Sequence, residues 1–490
     1  MKLDQMLGKA QELLDSGNTQ EGIEILKRIF PYFENNPNFL NILGTACLRV
    51  NENEEGIKLL KRANSLDPTN TSILFNLGKA FVDFKDFVNA KKYLILAKKL
   101  EPENILFLNY LGMVLVQFNK FDEAHNLFLK AAKINPNYFY SHYNIGLLLH
   151  KKKDYLNADK SYDKAIAANP SHYQSLWGKA LIKLMLGEYE KGWELYEIRL
   201  KNEEINREYK LYDASKTWRG DKPIQGKTLL IYGEQGFGDV IQFSRYIPLL
   251  ASYNSKLILY VKKELVSLLQ TLGTDITVIG MDSSVPNHDF NCPLMSLPLV
   301  FKTDLTNIPN KVPYLSASKT KEMFWKKKMG ETNNIRVGVV FSGSKTYNYD
   351  SSRSIGLEQF KNSLEGINSV EFHSLMVDYK NDDKELIESS DFLTLHDKEL
   401  NNFSDTAALI NSLDLVISVD TAVAHLAGAL NKQVWILVPF FPDFRWMEKI
   451  SHSIWYPSAK IFRQKNKDDW NQPLKKIKLA LVDFVKESLL

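Results

Sequence analysis

The chain has 490 residues, too many for one hydrophobic core, and its length predicts roughly two to four domains. A net charge of +4, from 62 basic and 58 acidic residues, argues against a dedicated nucleic-acid-binding protein. Only two cysteines occur, Cys47 and Cys292, which excludes a disulfide framework and fits a reducing cytoplasm. The sequence starts as an amphipathic helix rather than a signal peptide, and no apolar run is long enough for stable membrane insertion.

The first 206 residues repeat with a period of 34. Three series share one phase: Pro68, Pro102, Pro136 and Pro170; Gly44, Gly78, Gly112 and Gly146; Ala63, Ala97, Ala131 and Ala165. Helical apolar spacing with small residues at fixed positions resembles the tetratricopeptide repeat (TPR). Full repeats cover 37–70, 71–104, 105–138 and 139–172, with degenerate ones near 3–36 and 173–206. The pattern therefore predicts an N-terminal TPR α-solenoid over 1–206.

Helix pairs of this kind stack into a superhelix whose groove binds a peptide or partner protein, although an array that only scaffolds or oligomerises is the alternative. Asn76 and Asn144 each lie two residues before the glycine of their repeat. We expect these asparagines either to pair with the backbone of an extended acceptor peptide in the groove or to form a solvated surface row.

The 34-residue period ends near 206, and a polar connector at 207–225 follows. Beyond it, short Val/Ile/Leu-rich runs alternate with amphipathic helical segments, which is typical of parallel sheets covered on both faces. We predict two Rossmann-like, doubly wound domains at 226–330 and 331–462, with a final helix at 463–490. A ligand is expected outside the carboxyl ends of the strands.

The motif GEQGFGD follows the first predicted strand, 229–232. Its glycines, Gly233, Gly236 and Gly238, are expected to allow positive φ and close approach of a ligand, with Gln235 among the loop residues. Asp239 and Gln242 have the spacing of a helix capping pair. From these residues alone, Asp239 is either a cap or a catalytic group.

Three later segments also follow predicted strands. Lys345 and Arg353 in FSGSKTYNYDSSRSI suit a phosphate or sugar. In SVDTAVAHLAGAL, Asp420 ends a strand, and the helix beginning near Thr421 points its N-terminus at the same edge, with His425 one turn on. A lone helical histidine is more often structural. The loop PFFPDFRWM offers Asp443, Arg445 and Trp446 either to a ligand or to packing between domains.

Taken together, the repeats and these motifs in their order resemble the bacterial TPR glycosyltransferases, whose catalytic half is similar to the lipopolysaccharide heptosyltransferase family (family 9) of the GT-B fold. The resemblance implies that Asp239 is the general base for an acceptor hydroxyl. It implies further that the nucleotide-sugar site is lined by Lys345, Arg353, Asp420, Thr421, Ala422 and His425. FSGSKTY departs from the Trp-Ala-Gly-Asn/Ser of relatives, and Phe237 stands where leucine is commoner, but neither change removes an ionisable group.

The sequence thus predicts a cytoplasmic, inverting glycosyltransferase that takes a nucleotide-sugar as co-substrate and needs no metal or other cofactor, since no Asp-x-Asp motif occurs. The expected acceptor is a serine or threonine hydroxyl of a protein held by the repeats, flagellin or another surface protein. Two alternatives remain: a TPR adaptor with a non-catalytic GT-B half, and a heptosyltransferase acting on lipopolysaccharide.

Overall fold

The computed structural model describes residues 3–201, 214–273, 275–343, 350–379, 383, 386–387 and 391–488. The chain forms two compact units, Met1–Lys179 and Ala180–Leu490. The division falls inside the sixth predicted repeat, whereas the sequence suggests a boundary at 206. None of the helices in the described ranges is both long and apolar enough to cross a membrane.

The predicted solenoid is confirmed as a run of antiparallel helix pairs. Its helices are α1 Leu3–Asp15, α2 Thr19–Phe33, α3 Pro37–Arg49, α4 Asn53–Leu66, α5 Thr71–Asp83, α6 Phe87–Leu100, α7 Ile105–Gln117, α8 Phe121–Ile134, α9 Phe139–Lys151, α10 Tyr155–Ala168 and α11 Tyr173–Met185. Asn36, Asn70 and Asn104 cap α3, α5 and α7 by accepting hydrogen bonds from backbone N–H groups. The caps recur every 34 residues and explain where each repeat begins.

The repeated small residues mark where paired helices touch. An alanine Cβ at Gly112 would lie 2.8 Å from Cζ of Phe128, and one at Gly146 would lie 2.7 Å from Cε1 of Tyr162. Phe128 and Tyr162 are themselves buried. Glycine is therefore required here because a large ring on the second helix packs directly on the backbone of the first.

Asparagines of the row bond to asparagines of the preceding repeat. Asn76 donates from Nδ2 to Oδ1 of Asn41 at 2.9 Å, and Asn144 donates to Oδ1 of Asn109 at 3.0 Å. Asn144 is only 4% exposed and Asn109 only 2%. The amides join first helices of adjacent repeats, so the prediction that Asn144 faces a peptide is wrong.

The second unit contains two parallel sheets flanked by helices, as predicted. The first sheet has the order β3-β2-β1-β4, with β1 Thr228–Tyr232, β2 Lys256–Val261, β3 Ile276–Gly280 and β4 Phe290–Pro293. The second sheet has the order β6-β5-β7-β8-β9, with β5 Ile335–Val340, β6 Val370–Ser374, β7 Leu415–Val419, β8 Val434–Val438 and β9 Ala459–Arg463. The named strands pair with one another in parallel, and the central strands are buried, which accounts for their continuous apolar sequences.

The α-helices of this unit that lie among the described residues are α12 Tyr189–Tyr196, α13 Phe237–Phe243, α14 Lys263–Leu269, α15 Leu297–Val300, α16 Lys319–Met329, α17 Asp350–Arg353, α18 Leu357–Leu364, α19 Phe403–Asn411, α20 Ala422–Ala429 and α21 Asn471–Ser488. Short 3₁₀ segments include Glu197–Lys201, Ser244–Tyr253 and Phe444–Trp446. The predicted terminal helix therefore begins at Asn471.

Helix α12 explains why the compact division precedes residue 206. The indole of Trp193 is 2% exposed and lies edge-on to Phe243 and Phe444, with ring centroids 5.9 and 5.8 Å apart. Tyr189 stacks on Trp455 at 6.1 Å. The aromatic face of this last repeat helix is thus part of the core of the α/β unit.

Replacing Gly112 by alanine is expected to destabilise the solenoid by roughly 1–2 kcal/mol. Overpacking against Phe128 typically costs about 1–3 kcal/mol, and the better helix propensity of alanine returns up to about 1 kcal/mol. Denaturant unfolding monitored by circular dichroism measures the change. Gly8 is the matched control, because it lies in α1 and a Cβ added there would meet nothing within 4 Å, so Gly8→Ala should be neutral or stabilising. Equal responses of the two variants would contradict this packing explanation.

Candidate active site

Both sheets have a point where the strand order reverses, and the predicted motifs lie there. In the first sheet the strand order reverses between β1 and β4, and in the second sheet it reverses between β5 and β7. GEQGFGD follows β1, Arg353 lies on α17 after β5, and Asp420 follows β7. Ligands of doubly wound sheets bind at such switch points, outside the carboxyl ends of the strands.

The GEQGFGD turn reaches its shape differently from the sequence prediction. Gln235, not a glycine, has a positive φ of 62°. Gly233 serves close packing instead: a Cβ there would lie 2.9 Å from Cγ2 of Val240 and 3.2 Å from Cγ1 of Val261. The expectation that the glycines adopt positive φ is therefore wrong. Their lack of a side chain instead allows neighbouring groups to pack against the backbone.

Asp239 caps its helix from inside the first turn. Gly236 occupies the N-cap position of α13, and Oδ2 of Asp239 accepts a hydrogen bond from the Gly236 N–H at 2.9 Å. This is half of a capping box, because a glycine N-cap has no side chain to reciprocate. The predicted pairing of Asp239 with Gln242 is wrong, since Gln242 is buried and bonds elsewhere.

The partner of both side chains is Arg445, which lies in the loop after β8. Its Nη2 donates to Oδ1 of Asp239, and its Nε donates to Oε1 of Gln242 at 2.5 Å. Nη1 donates to Oδ1 of Asp443 at 2.8 Å. Arg445 is 6% exposed, and its guanidinium lies 4.5 Å from the ring centroid of Phe444. A buried arginine thus ties the first sheet's catalytic candidate to the second sheet.

Two opposing effects set the proton affinity of Asp239. Burial raises the pKa of its carboxyl above the ordinary value, while the positive charge of Arg445 pulls it down. The side chain keeps 20% exposure. A carboxylate held charged by arginine yet poorly solvated is a stronger base than a free one, which suits proton abstraction.

Helices α13 and α20 meet at Gly238. A Cβ on Gly238 would lie 2.9 Å from Cδ2 of His425 and 3.3 Å from the Cα of Ala422. His425 is buried, its Nδ1 lies 3.0 Å from the Tyr456 hydroxyl, and its ring stacks on Trp446 at 5.3 Å. Burial and neighbouring arginines lower the pKa of His425 well below 6.5, so its ring is neutral at pH 7.

Asp420 and Arg353 come together across the second switch point. Arg353 donates from Nη1 to the backbone oxygen of Asp420 at 2.7 Å and lies 3.2 Å from Oδ1 of Asp350. Gly343 makes room for this arginine, because a Cβ there would lie 2.5 Å from Nη2 of Arg353. Lys345 lies outside the described residues.

The start of α20 faces the same edge. Thr421 is its N-cap residue, but the side chain makes no capping hydrogen bond and its Oγ1 instead lies 3.1 Å from Oγ of Ser418. The first turn of α20 therefore has no side-chain cap to compete with an anion.

Arg245 is a further buried cation that the sequence does not reveal. Its Nη1 donates to the backbone oxygen of Trp455 at 2.7 Å, and its Nη2 donates to the Tyr314 hydroxyl at 3.2 Å. The guanidinium lies 4.6 Å from the ring centroid of Tyr456. It follows no strand and belongs to no motif, and the hydrogen-bond partners Tyr314 and Trp455 lie 69 and 210 residues away along the chain. Asp350, three residues before Arg353, is by contrast a partner that helical spacing does signal.

Replacing Asp420 by asparagine is expected to change how stability depends on pH. Burial, aided by the negative charge of Asp443, raises the pKa of Asp420 to about 6 from an ordinary value of 3.8. As the pH rises, the unfolded chain loses this proton first. The free energy of unfolding therefore falls between about pH 4 and 6, by at most about 3 kcal/mol. Asp420→Asn should lack this loss, as followed by unfolding midpoints across that range. Asp414→Asn, exposed just before the same strand, is the control. If the difference in unfolding midpoint between the wild type and Asp420→Asn did not change with pH, the raised pKa of Asp420 would be contradicted.

Comparison with known proteins agrees with these observations. The model "Glycosyltransferase family 9 (heptosyltransferase)" matches residues 399–437, which include β7, Asp420 and α20. The models "TPR repeat" and "Tetratricopeptide repeat" match 112–153 and 139–172. Protein FlbA of Caulobacter vibrioides is 22% identical over 331 residues, covering 62% of this chain and 54% of FlbA. The chain thus spans about half the length of this relative.

Solved structures of other proteins are similar to part of this chain. The structure of PilF from Pseudomonas aeruginosa shares 21% identity over 41% of this chain and 90% of its own, with a TM-score of 0.36. MamA from Desulfovibrio magneticus RS-1 shares 18% identity over 35% of this chain and 96% of its own, with a TM-score of 0.32. TPR repeats and a segment similar to glycosyltransferase family 9 thus occur together in this chain.

Proposed function

We propose that this protein is an inverting glycosyltransferase of the GT-B fold that moves a sugar from a nucleotide-sugar to a serine or threonine hydroxyl of a protein acceptor. The observation that carries the proposal is the Asp239–Arg445 pair. It places a poorly solvated carboxylate at the switch point of the first sheet, bonded to a loop that leaves the second sheet.

In the proposed reaction, the acceptor oxygen attacks the anomeric carbon while Asp239 takes the hydroxyl proton. The bond between the anomeric carbon and the phosphate oxygen breaks, and its electron pair leaves with the nucleotide. Attack opposite to the leaving group inverts the configuration. Asp239 remains available for this role because each carboxylate oxygen uses one lone pair for Gly236 or Arg445 and retains another.

The leaving phosphate is proposed to sit at the second sheet. Arg353 and the uncapped start of α20 present positive charge there, beside Thr421 and Ala422. We include Lys345 in this set because its segment follows β5. With cations and a helix terminus balancing the developing charge, the proposed reaction uses no metal or other cofactor. His425, neutral and packed between helices, shapes the site rather than pairing with phosphate.

The acceptor is proposed to dock on the first helices of the solenoid. Leu106 and Tyr140 occupy equivalent positions 34 residues apart on α7 and α9, as do Met113 and Leu147. These four apolar side chains are 37–44% exposed, while Ser72 and Lys79 hold the same positions on α5. An exposed apolar strip confined to two repeats is typical of a recognition surface. Flagellin, or another surface protein modified in the cytoplasm before export, is the acceptor we propose.

Asp239→Asn should lower the transfer rate by about 10²–10⁴-fold, the usual contribution of a general base, while the chain stays folded. Intact-mass analysis of acceptor proteins from cells carrying each variant measures the transfer. Asp405→Asn is the matched control: Asp405 caps α19 from the same position, its Oδ2 accepting the Asn402 N–H at 3.2 Å, and it too pairs with a cation, Lys321. Wild-type glycosylation by Asp239→Asn would favour an adaptor over an enzyme. Equal losses in both variants would reduce Asp239 to a cap.

Leu147→Asp should weaken capture of the acceptor at least tenfold, because a charge replaces an apolar contact on the proposed strip. Co-purification with the full-length chain, followed by mass spectrometry, measures this. Leu156→Asp is the control, since Leu156 is 65% exposed on α10, a second helix. Unchanged capture by Leu147→Asp would place the acceptor elsewhere. Undiminished modification of a lipid acceptor, with no protein captured, would favour the heptosyltransferase alternative.

A further inference from the structure

A buried ion pair joins the segment after α12 to the GEQGFGD loop. Arg199, in the 3₁₀ turn Glu197–Lys201, donates from Nη2 to Oε1 of Glu234 at 2.6 Å and from Nε to Oε2 at 3.0 Å. Arg199 is 0% exposed and Glu234 is 1% exposed. The two-point geometry fixes both the distance and the orientation of the Glu234 carboxylate.

The pair sits in a closed polar network. Oε1 of Glu234 also accepts the backbone N–H of Met295 at 3.2 Å, just beyond β4. Nη2 of Arg199 donates to Oγ of Ser296 at 2.9 Å, and its Nη1 donates to Oε1 of Glu197 at 2.7 Å. The turn before Asp239 is therefore anchored to two other segments, one of them the end of the repeat-like helices.

Tyr196, the last residue of α12, extends this anchor along the loop. Its hydroxyl accepts a hydrogen bond from Nε2 of Gln235 at 3.3 Å, and its ring centroid lies 5.0 Å from the Arg199 guanidinium. The same ring lies 6.0 Å from that of Phe444, next to Arg445. One short segment of chain thus contacts both the loop that carries Asp239 and the loop that carries Arg445.

Stability alone does not account for this arrangement. Removing two charges from water costs several kcal/mol per ion in general, and well-packed apolar residues often stabilise a core as well or better. Between Glu234 and Asp239, Gly236 and Gly238 have no side chains, so the side chains of Glu234, Gln235 and Phe237 hold the course of the turn.

We infer that Arg199 is a positioning residue for catalysis: by clamping Glu234 it fixes the start of the loop whose end is Asp239. The inference rests on the proposed function. Arg199 and Arg445 then hold the two ends of one short turn, the first through Glu234 and the second through Asp239. Loss of the first clamp leaves the carboxylate present but misplaced relative to the acceptor hydroxyl, and misplacement of reacting groups by about 1 Å costs about 10²-fold in rate.

The test uses the full-length chain with Arg199→Met/Glu234→Leu, which removes both charges of the two-point pair and leaves Glu197 hydrogen-bonded to the Ser296 hydroxyl at 2.7 Å. Three measurements are made: the unfolding midpoint, hydrogen exchange of amides 233–243, and transfer kinetics with the acceptor captured by the wild type. We expect a retained midpoint, at least tenfold faster exchange of these amides, and kcat lowered at least tenfold with the KM for the donor unchanged. The single variant Arg199→Lys keeps the positive charge but not the two-point hydrogen bonding, and it should retain part of the transfer rate.

The control is Lys179→Met/Asp159→Leu, which removes a largely buried pair with an N–O distance of 3.0 Å, and it should leave all three measurements of the loop and its chemistry unchanged. A stable double variant with wild-type exchange and wild-type kcat would overturn the inference. So would a fall in kcat matched by a rise in donor KM, because the donor is assigned to the second sheet. If the wild type transfers no sugar, the proposed function fails, while the exchange result still decides whether Arg199 orders the loop.

Discussion

The buried guanidinium of Arg445 is the interaction on which the α/β unit depends. A buried cation must find hydrogen-bond acceptors, and Arg445 finds them on both sides of the unit: Asp239 and Gln242 on α13, and Asp443 in its own loop. The missing side chain of Gly238 lets α13 approach α20 closely in the same unit. The proposed catalytic base and the loop after β8 are therefore held by the same buried arginine.

The electrostatics of the site follow from the same burial. Burial raises the pKa values of both Asp239 and Asp420, and the neighbouring arginines oppose that shift without removing it. His425 shifts in the opposite direction and stays neutral for the same reason. Cations that are permanently charged surround acids that hold their protons more tightly than usual, which is the combination expected where a proton is taken up and a phosphate leaves.

The sequence predicts features that are periodic or local. The solenoid follows from a 34-residue period, and the two sheets follow from apolar strands between helices. The positions of GEQGFGD and Asp420 follow from the rule that places ligands at strand ends. Contacts between distant segments leave no such signal. Gln242 looks like a capping residue until Arg445, 203 positions away, accounts for it, and Asn144 looks like a groove residue until Asn109 is seen to bury it.

Helix α12 also limits how modular this protein is. Its sequence belongs to the repeats, yet Trp193 and Tyr189 pack among Phe243, Phe444 and Trp455. A recombinant α/β half that starts at residue 207 would expose this aromatic surface and lack half of a buried ion pair. A chimera that joins these repeats to a related α/β unit therefore needs its junction before Ala180, where the second compact unit begins. Exchange of repeat arrays during evolution would meet the same constraint, because α12 is part of the core of the α/β unit.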